Sequence, residues 1–112
     1  MIVVTAYDGG VKIRGHAYYA PKGYDIICAA VSALTITLIQ SLKRLTDTKI
    51  KYDISPGKAD IEFGNLSEPA KALVDSFLIG IQEVISEYPD KVKIYSNGMG
   101  NEHAGAERTK KR

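Results

Sequence analysis

Residues 15–34 read GHAYYAPKGYDIICAAVSAL, and within them the hydrophobic pattern changes period. Just upstream, Val11 and Ile13 alternate with Lys12 and Arg14, the period of two that a half-buried strand requires. Downstream, Ile27, Val31, Leu34, Leu38, Leu42 and Leu45 follow a 4-3-4-4-3 spacing, which puts them on one stripe of an α-helix. Between the two lies a loop over residues 17–24, broken by Pro21, Lys22 and Gly23. Asp25 suits an N-cap and predicts a helix over residues 25–45, with Cys28 at its third helical position. Strand, loop and long helix are thus set within a few residues of each other.

Working outward, residues 2–7 are apolar and β-branched, which predicts a central strand covered on both sides. Asp8-Gly9-Gly10 is a turn signal joining it to the strand over residues 11–14. Residues 49–54 and 58–63 alternate on either side of Ser55-Pro56-Gly57, a hairpin with Ile50, Tyr52, Ile54, Ala59, Ile61 and Phe63 inward. Ser67-Glu68-Pro69 opens a second helix. Leu73, Phe77, Leu78, Ile81, Val84, Ile85 and Tyr88 form its apolar face, Pro89 stops it, and residues 92–95 form a last short strand.

The order β-β-α-β-β-α-β predicts an α+β fold, a largely antiparallel sheet packed by two helices. Such a fold leaves Ala29, Ala30 and Ala33 of the first helix and Ile79 of the second uncovered, so a homodimer is expected. Residues 1–97 read as a single domain. Residues 98–112 are polar and aperiodic, which predicts a disordered basic tail with His103 in solvent.

Composition sets the outer limits. The 112 residues are 45% hydrophobic and 25% charged, ordinary values for a globular domain. No unbroken apolar run of membrane-spanning length occurs, and the first residues lack the basic segment of a secretory leader, so no membrane span is expected. A single cysteine forms no internal disulfide, which points to the cytoplasm. The net charge of +2 comes wholly from Arg108, Lys110, Lys111 and Arg112 set against Glu102 and Glu107. The body is neutral, so direct nucleic-acid binding by it is not expected.

Chemistry concentrates in the opening stretch. A thiol peptidase needs a thiolate, a base for the thiol proton and N–H donors for the oxyanion. Cys28 supplies the first and His16 the second, with backbone amides at the helix start as candidates for the third. A lone cysteine on an apolar helix is commonly a small core residue. Against that stand its place in the first turn, where the helix dipole favours thiolate, and its position at the edge of the stripe. His16 also shares the parity of Lys12 and Arg14, on the open side of the strand. Asp25 and Ser32 are polar groups placed to orient the pair, though Asp25 serves equally as a plain cap. Tyr18, Tyr19 and Tyr24 either line a peptide groove or pack the loop against the body. One cysteine and one histidine are too few for a metal site, and no cofactor motif is present.

At these residues the chain resembles a known family. Gly15-His16-Ala17, Ala20, Gly23 and the run from Asp25 to Ser32, DIICAAVS, are similar to the signature of the ribosomal-processing cysteine protease family, Prp. The resemblance implies a bacterial enzyme that removes an N-terminal extension from large-subunit ribosomal protein number twenty-seven. It implies His16 as base, Cys28 as nucleophile, and Gly15, Asp25 and Ser32 as active-site positions. It further implies a homodimer and a loop over residues 17–24, with Tyr18, Tyr19, Gly23 and Tyr24, that orders around substrate. The alternative is a non-enzymatic dimeric module that binds ribosomal protein or RNA through the basic tail. A thiol redox sensor ranks third, because the chain holds no resolving cysteine.

Overall fold

The first hairpin sets the frame for the sheet. In a computed structural model that describes residues 1–15 and 22–97 (the side chains of 22–25 and 97 excepted), β1 (Ile2–Tyr7) pairs antiparallel with β2 (Gly10–Arg14). Asp8 and Gly9 form the turn, and Tyr7 faces Gly10 at its mouth. A Cβ at Gly10 would overlap the Ile61 carbonyl oxygen of the neighbouring strand, so glycine permits the close approach there. Ile2, Val4, Ala6, Val11 and Ile13 are buried on one face, whereas Lys12 and Arg14 are exposed on the other.

The chain continues through α1 (Lys22–Leu45), β3 (Ile50–Ser55), β4 (Lys58–Phe63), α2 (Glu68–Glu87) and β5 (Val92–Asn97). The expected element order is therefore present. The sheet order is β3-β4-β2-β1-β5, antiparallel throughout except for the parallel β1–β5 pair. These pairings make β2 parallel in direction to β3, and β4 to β5. Each helix is therefore a crossover that returns the chain to the end of the sheet where the preceding strand began. The two helices pack on each other and cover one face, with Ala59, Ile61, Phe63 and Val92 completing the sheet side of the core. β1 is an inner strand, but only its Ile2, Val4 and Ala6 side is fully buried.

Helix α1 ends at Leu45 as expected but starts earlier than expected. It is already helical at Lys22, so Asp25 lies inside it and is not its N-cap. Ile27, Val31, Leu38 and Leu42 are buried as expected, but so are Ile39 and Thr35, whose hydroxyl donates to the Val31 carbonyl (2.7 Å). That local bond satisfies a polar group inside an apolar interface. Leu45, the last helical residue, is 69% exposed and does not belong to the core stripe. Residues 26–45 are long and apolar enough to cross a bilayer by length and composition alone, a test that the core helix of a globular fold also meets. In this fold that apolarity serves packing: one side of α1 meets the sheet and Leu34 meets α2, where a Cβ on Gly80 would press on the Leu34 side chain.

Helix α2 follows the sequence more closely. Ser67 caps it by accepting from the Ala70 N–H (3.3 Å), and Pro69 sits in the first turn. Phe77, Leu78 and Ile81 are buried, joined by Ala70 and Val74; Tyr88 is largely exposed. The second correction to the core concerns β3. Tyr52 and Ile54 pair with buried Ile61 and Ala59, so they face the helix layer, yet they are 47% and 44% exposed. β3 is the edge strand, and α1 reaches it through Lys43, whose ammonium lies 5.4 Å from the Tyr52 ring centre. The predicted tail over residues 98–112 lies outside the described residues.

Candidate active site

The end of the sheet where β2 finishes also receives the β3–β4 turn and the first turns of α1. Gly15 follows β2 directly with φ +99°, and its N–H donates to the Gly57 carbonyl (2.9 Å) in that turn. A Cβ at Gly15 would overlap the Met1 carbonyl oxygen, so glycine is required for two reasons. Three backbone segments, at Met1, Gly15 and Gly57, meet there. The positive φ also ends the strand alternation. The described alternation therefore reaches Arg14, and the expected open-side placement of His16 falls outside the described residues.

Beside this junction is a groove of about 120 Å³. Its helix wall is a ridge of Cys28, Ser32 and Thr35, which the i, i+4, i+7 spacing places on one face of α1. Ile36 extends that wall. Ile13 and Gly15 form the floor, and Ile54, Ser55, Gly57 and Lys58 from the hairpin form the far side. Cys28 is a free thiol, half-buried against the core, and Ser32 is exposed one turn further on. The groove is largely apolar with small hydroxyl groups near the sulfur, a shape that suits an extended chain with apolar side chains.

Gly15, Cys28 and Ser32 are therefore brought to one place. Gly23, Tyr24 and Asp25 lie in the first helical turn of α1, their side chains outside the described residues. His16, Tyr18 and Tyr19 lie outside the described residues altogether; His16 is the residue covalently after Gly15. Because α1 starts at Lys22, Cys28 is in its second turn. Its N–H is then spent on the intrahelical ladder, and the dipole effect expected for a first-turn thiol is weaker there. Thr35 and the hairpin residues 54–58 were not expected in the site. Thr35 falls seven residues after Cys28, and the inward parity of Ile54 beside a Pro-Gly turn was the available signal.

Charge lies elsewhere. On the opposite face of the sheet Arg14 bonds Asp60 at 2.7 Å, and Lys58 approaches it at 3.9 Å. The Arg14 hydrogen bond holds the Asp60 carboxyl below the usual aspartate range, and burial raises the Tyr7 phenol above its ordinary value. Among the described residues no group of three or more His, Cys, Asp or Glu side chains is placed to hold a metal ion.

The sequence pattern of the cysteine protease Prp family matches residues 1–93. The chain belongs to that family. It is accordingly a cysteine protease, a peptide hydrolase. Two curated relatives are the ribosomal processing cysteine proteases Prp of Staphylococcus aureus and Bacillus subtilis. The first is 26% identical over 98 residues, covering 81% of this chain and 92% of the relative. The second is 24% identical over 102 residues, covering 82% and 91%. The fold is that of the S. aureus Prp crystal structure with a covalently linked product peptide, at a TM-score of 0.75 and 24% identity over 86% of this chain and 99% of that one. A second S. aureus Prp structure, with a substrate peptide, aligns at a TM-score of 0.70 with 20% identity, covering 85% of this chain and 96% of that one.

Proposed function

We propose that the protein is the endopeptidase that removes the N-terminal extension of large-subunit ribosomal protein number twenty-seven, with Cys28 as nucleophile and His16 as general base. The observation that carries the nucleophile is simple: a Prp-family cysteine protease requires a thiol, and this chain has one cysteine, half-buried in a groove. The named relatives are ribosomal processing enzymes, which supports the substrate.

In this reading His16 takes the Cys28 proton as sulfur attacks the scissile carbonyl carbon. The tetrahedral intermediate collapses, the C–N bond breaks, and His16 returns the proton to the leaving amine. Water, deprotonated by His16, then hydrolyses the thioester and regenerates the thiol. Ser32 offers a hydroxyl one turn from the sulfur, and Asp25 and Gly15 support the geometry of the pair. Gly15 does so through its positive-φ backbone and its bond to Gly57, which set where the segment bearing His16 departs. Tyr18, Tyr19, Gly23 and Tyr24 contact the substrate, the last two from the first turn of α1. The enzyme works in the cytoplasm as a homodimer, without a cofactor.

The test is incubation of the full chain with a peptide spanning the extension junction, beside Cys28→Ala and His16→Ala. Wild type cleaves at a single bond, and each variant loses activity by a factor on the order of 10⁴. Equal cleavage by Cys28→Ala would end the proposal.

A further inference from the structure

β3 has no strand on its outer side among the described residues. Which of its backbone groups face outward follows from the pairing. The Phe63 N–H donates to the Gly9 carbonyl (2.9 Å), so the polar groups of Phe63 point toward β2. Backbone polar groups alternate along a strand, which turns those of Ala59 and Ile61 toward β2 and those of Lys58, Asp60 and Glu62 toward β3. The latter three face Ser55, Asp53 and Lys51. The N–H and C=O groups of Ile50, Tyr52 and Ile54 are therefore aimed at the free edge.

Those same residues put their side chains on the helix side of the sheet, where Tyr52 and Ile54 are half-exposed. Ile54 and Ser55 belong to the groove that contains Cys28, so the edge runs into the groove. The β3–β4 register is unbroken over six residue pairs, with no bulge, and the one nearby proline, Pro56, is in the turn and not in the strand. Edges that are not meant to pair are usually blunted by a bulge, a proline or a covering element. This one has neither bulge nor proline; its charged Lys51 and Asp53 lie on the other face, and the side that leads to the thiol carries Ile50, Tyr52 and Ile54, with Lys43 of α1 over the Tyr52 ring.

We propose that the outer edge of β3 takes the peptide substrate as an added strand, through the outward groups of Tyr52 and Ile54. Because side chains alternate along a strand, the peptide is one whose residues two apart present apolar side chains to Tyr52 and Ile54. The added strand delivers its scissile bond to Cys28, and to that extent the inference rests on the proposed role of that residue.

The test uses the full chain carrying Cys28→Ala and a fluorescent peptide spanning the extension junction, with binding read by anisotropy so that no chemistry is needed. A set of peptides is N-methylated at one backbone nitrogen each, which leaves the protein untouched. Methylation at alternate positions should raise Kd by about 3- to 10-fold, with little change at the positions between, as expected for single lost hydrogen bonds. Tyr52→Pro, which removes an outward N–H on an edge strand that tolerates proline, should raise Kd by a similar factor. A Kd indifferent to both, or no binding, overturns the proposal. So does a Tyr52→Pro variant that separates a dimer into monomers with Kd unchanged, because the edge then serves a second copy. Binding with the alternating pattern but no cleavage by wild type would instead sink the proposed function and leave strand addition standing.

Discussion

The two helices are similar in length, 24 and 20 residues, and similar in apolar content, yet they spend that content differently. Helix α2 packs its large aliphatic and aromatic residues in or against the core, half-buried Ile79 excepted, and leaves none of them among the strongly exposed ones. Helix α1 buries Ile27, Val31, Leu38, Ile39 and Leu42 but exposes Ile26, Ile36 and Leu45. Ile36 stands in the wall of the Cys28 groove. One helix serves the fold alone. The other serves the fold with one face and presents a thiol, the Ser32 hydroxyl and an apolar wall with its edge. Apolar surface left open beside a thiol is what a peptide-binding groove requires, and it is surface a purely structural helix would hide.

The comparison breaks most readily through paired truncations. Ile81 of α2 is fully buried, so Ile81→Ala should cost about 2–5 kcal/mol and lower Tm by roughly 10 °C or more. Its kcat/KM, measured well below Tm, should stay close to wild type. Ile36→Ala removes a 45% exposed side chain and should change stability by about 0.5 kcal/mol or less while raising KM for the junction peptide. Thermal melts and steady-state kinetics on the two variants decide it. If Ile36→Ala melts like Ile81→Ala, or leaves KM untouched, the division of labour between the helices is wrong.

Much of α2 was legible in the sequence because local rules fix it. Ser67 followed by Glu68-Pro69 marks the start, a broad apolar stripe marks the buried face, and Pro89 marks the end. α1 was legible in its middle and in its last residue, and misread at its start and in the burial of Leu45. Asp25 is a sound capping residue, but helix boundaries depend on which backbone groups find partners, and Lys22 and Gly23 are helical despite their loop-like composition. Thr35 is a polar residue that sequence patterning assigns to the surface; its bond to the Val31 carbonyl lets it be buried. Tyr52 and Ile54 have the right parity for the core, but parity tells which face a side chain takes, not whether a helix reaches that far across the sheet. The parallel β1–β5 pair likewise depends on where α2 returns the chain. Of the site, Cys28 and Ser32 were legible from helical spacing, whereas the hairpin wall depends on tertiary contacts.

The ways into the two helices sharpen the contrast. The segment leading to α1 leaves β2 through Gly15, held by φ +99°, by its bond to Gly57 and by contact with Met1. Gly15→Ala should cost about 2 kcal/mol through backbone strain and overlap. Gly10→Ala meets the Ile61 carbonyl in a comparable way and should cost a similar amount, but it lies at the opposite end of β2 from the groove. Both variants should lose stability in urea melts. Only Gly15→Ala should also lose kcat/KM at temperatures where it is fully folded, because its strain falls on the junction next to Cys28 and His16. Equal kinetic losses from the two would mean that Gly15 matters for the fold alone.

The start of α2 provides the smallest effect and the cleanest control. The Ser67 hydroxyl accepts the Ala70 N–H at 3.3 Å, satisfying one of the four amides a helix leaves unpaired at its start. Ser67→Ala should therefore cost about 1 kcal/mol and lower Tm by roughly 4–8 °C. The strand directions put this cap at the end of the sheet that holds the Asp8–Gly9 turn, remote from the Cys28 groove. A lost cap frays the first turn of a helix and leaves the packed remainder in place. Since Val74, Phe77, Leu78 and Ile81 lie beyond that first turn, the core should hold and kcat/KM should be unchanged. A Ser67→Ala enzyme that melts slightly early but cleaves at the wild-type rate fits a helix that only supports. A kinetic defect in the folded variant would show that α2 is coupled to the groove, and the contrast with α1 would no longer hold.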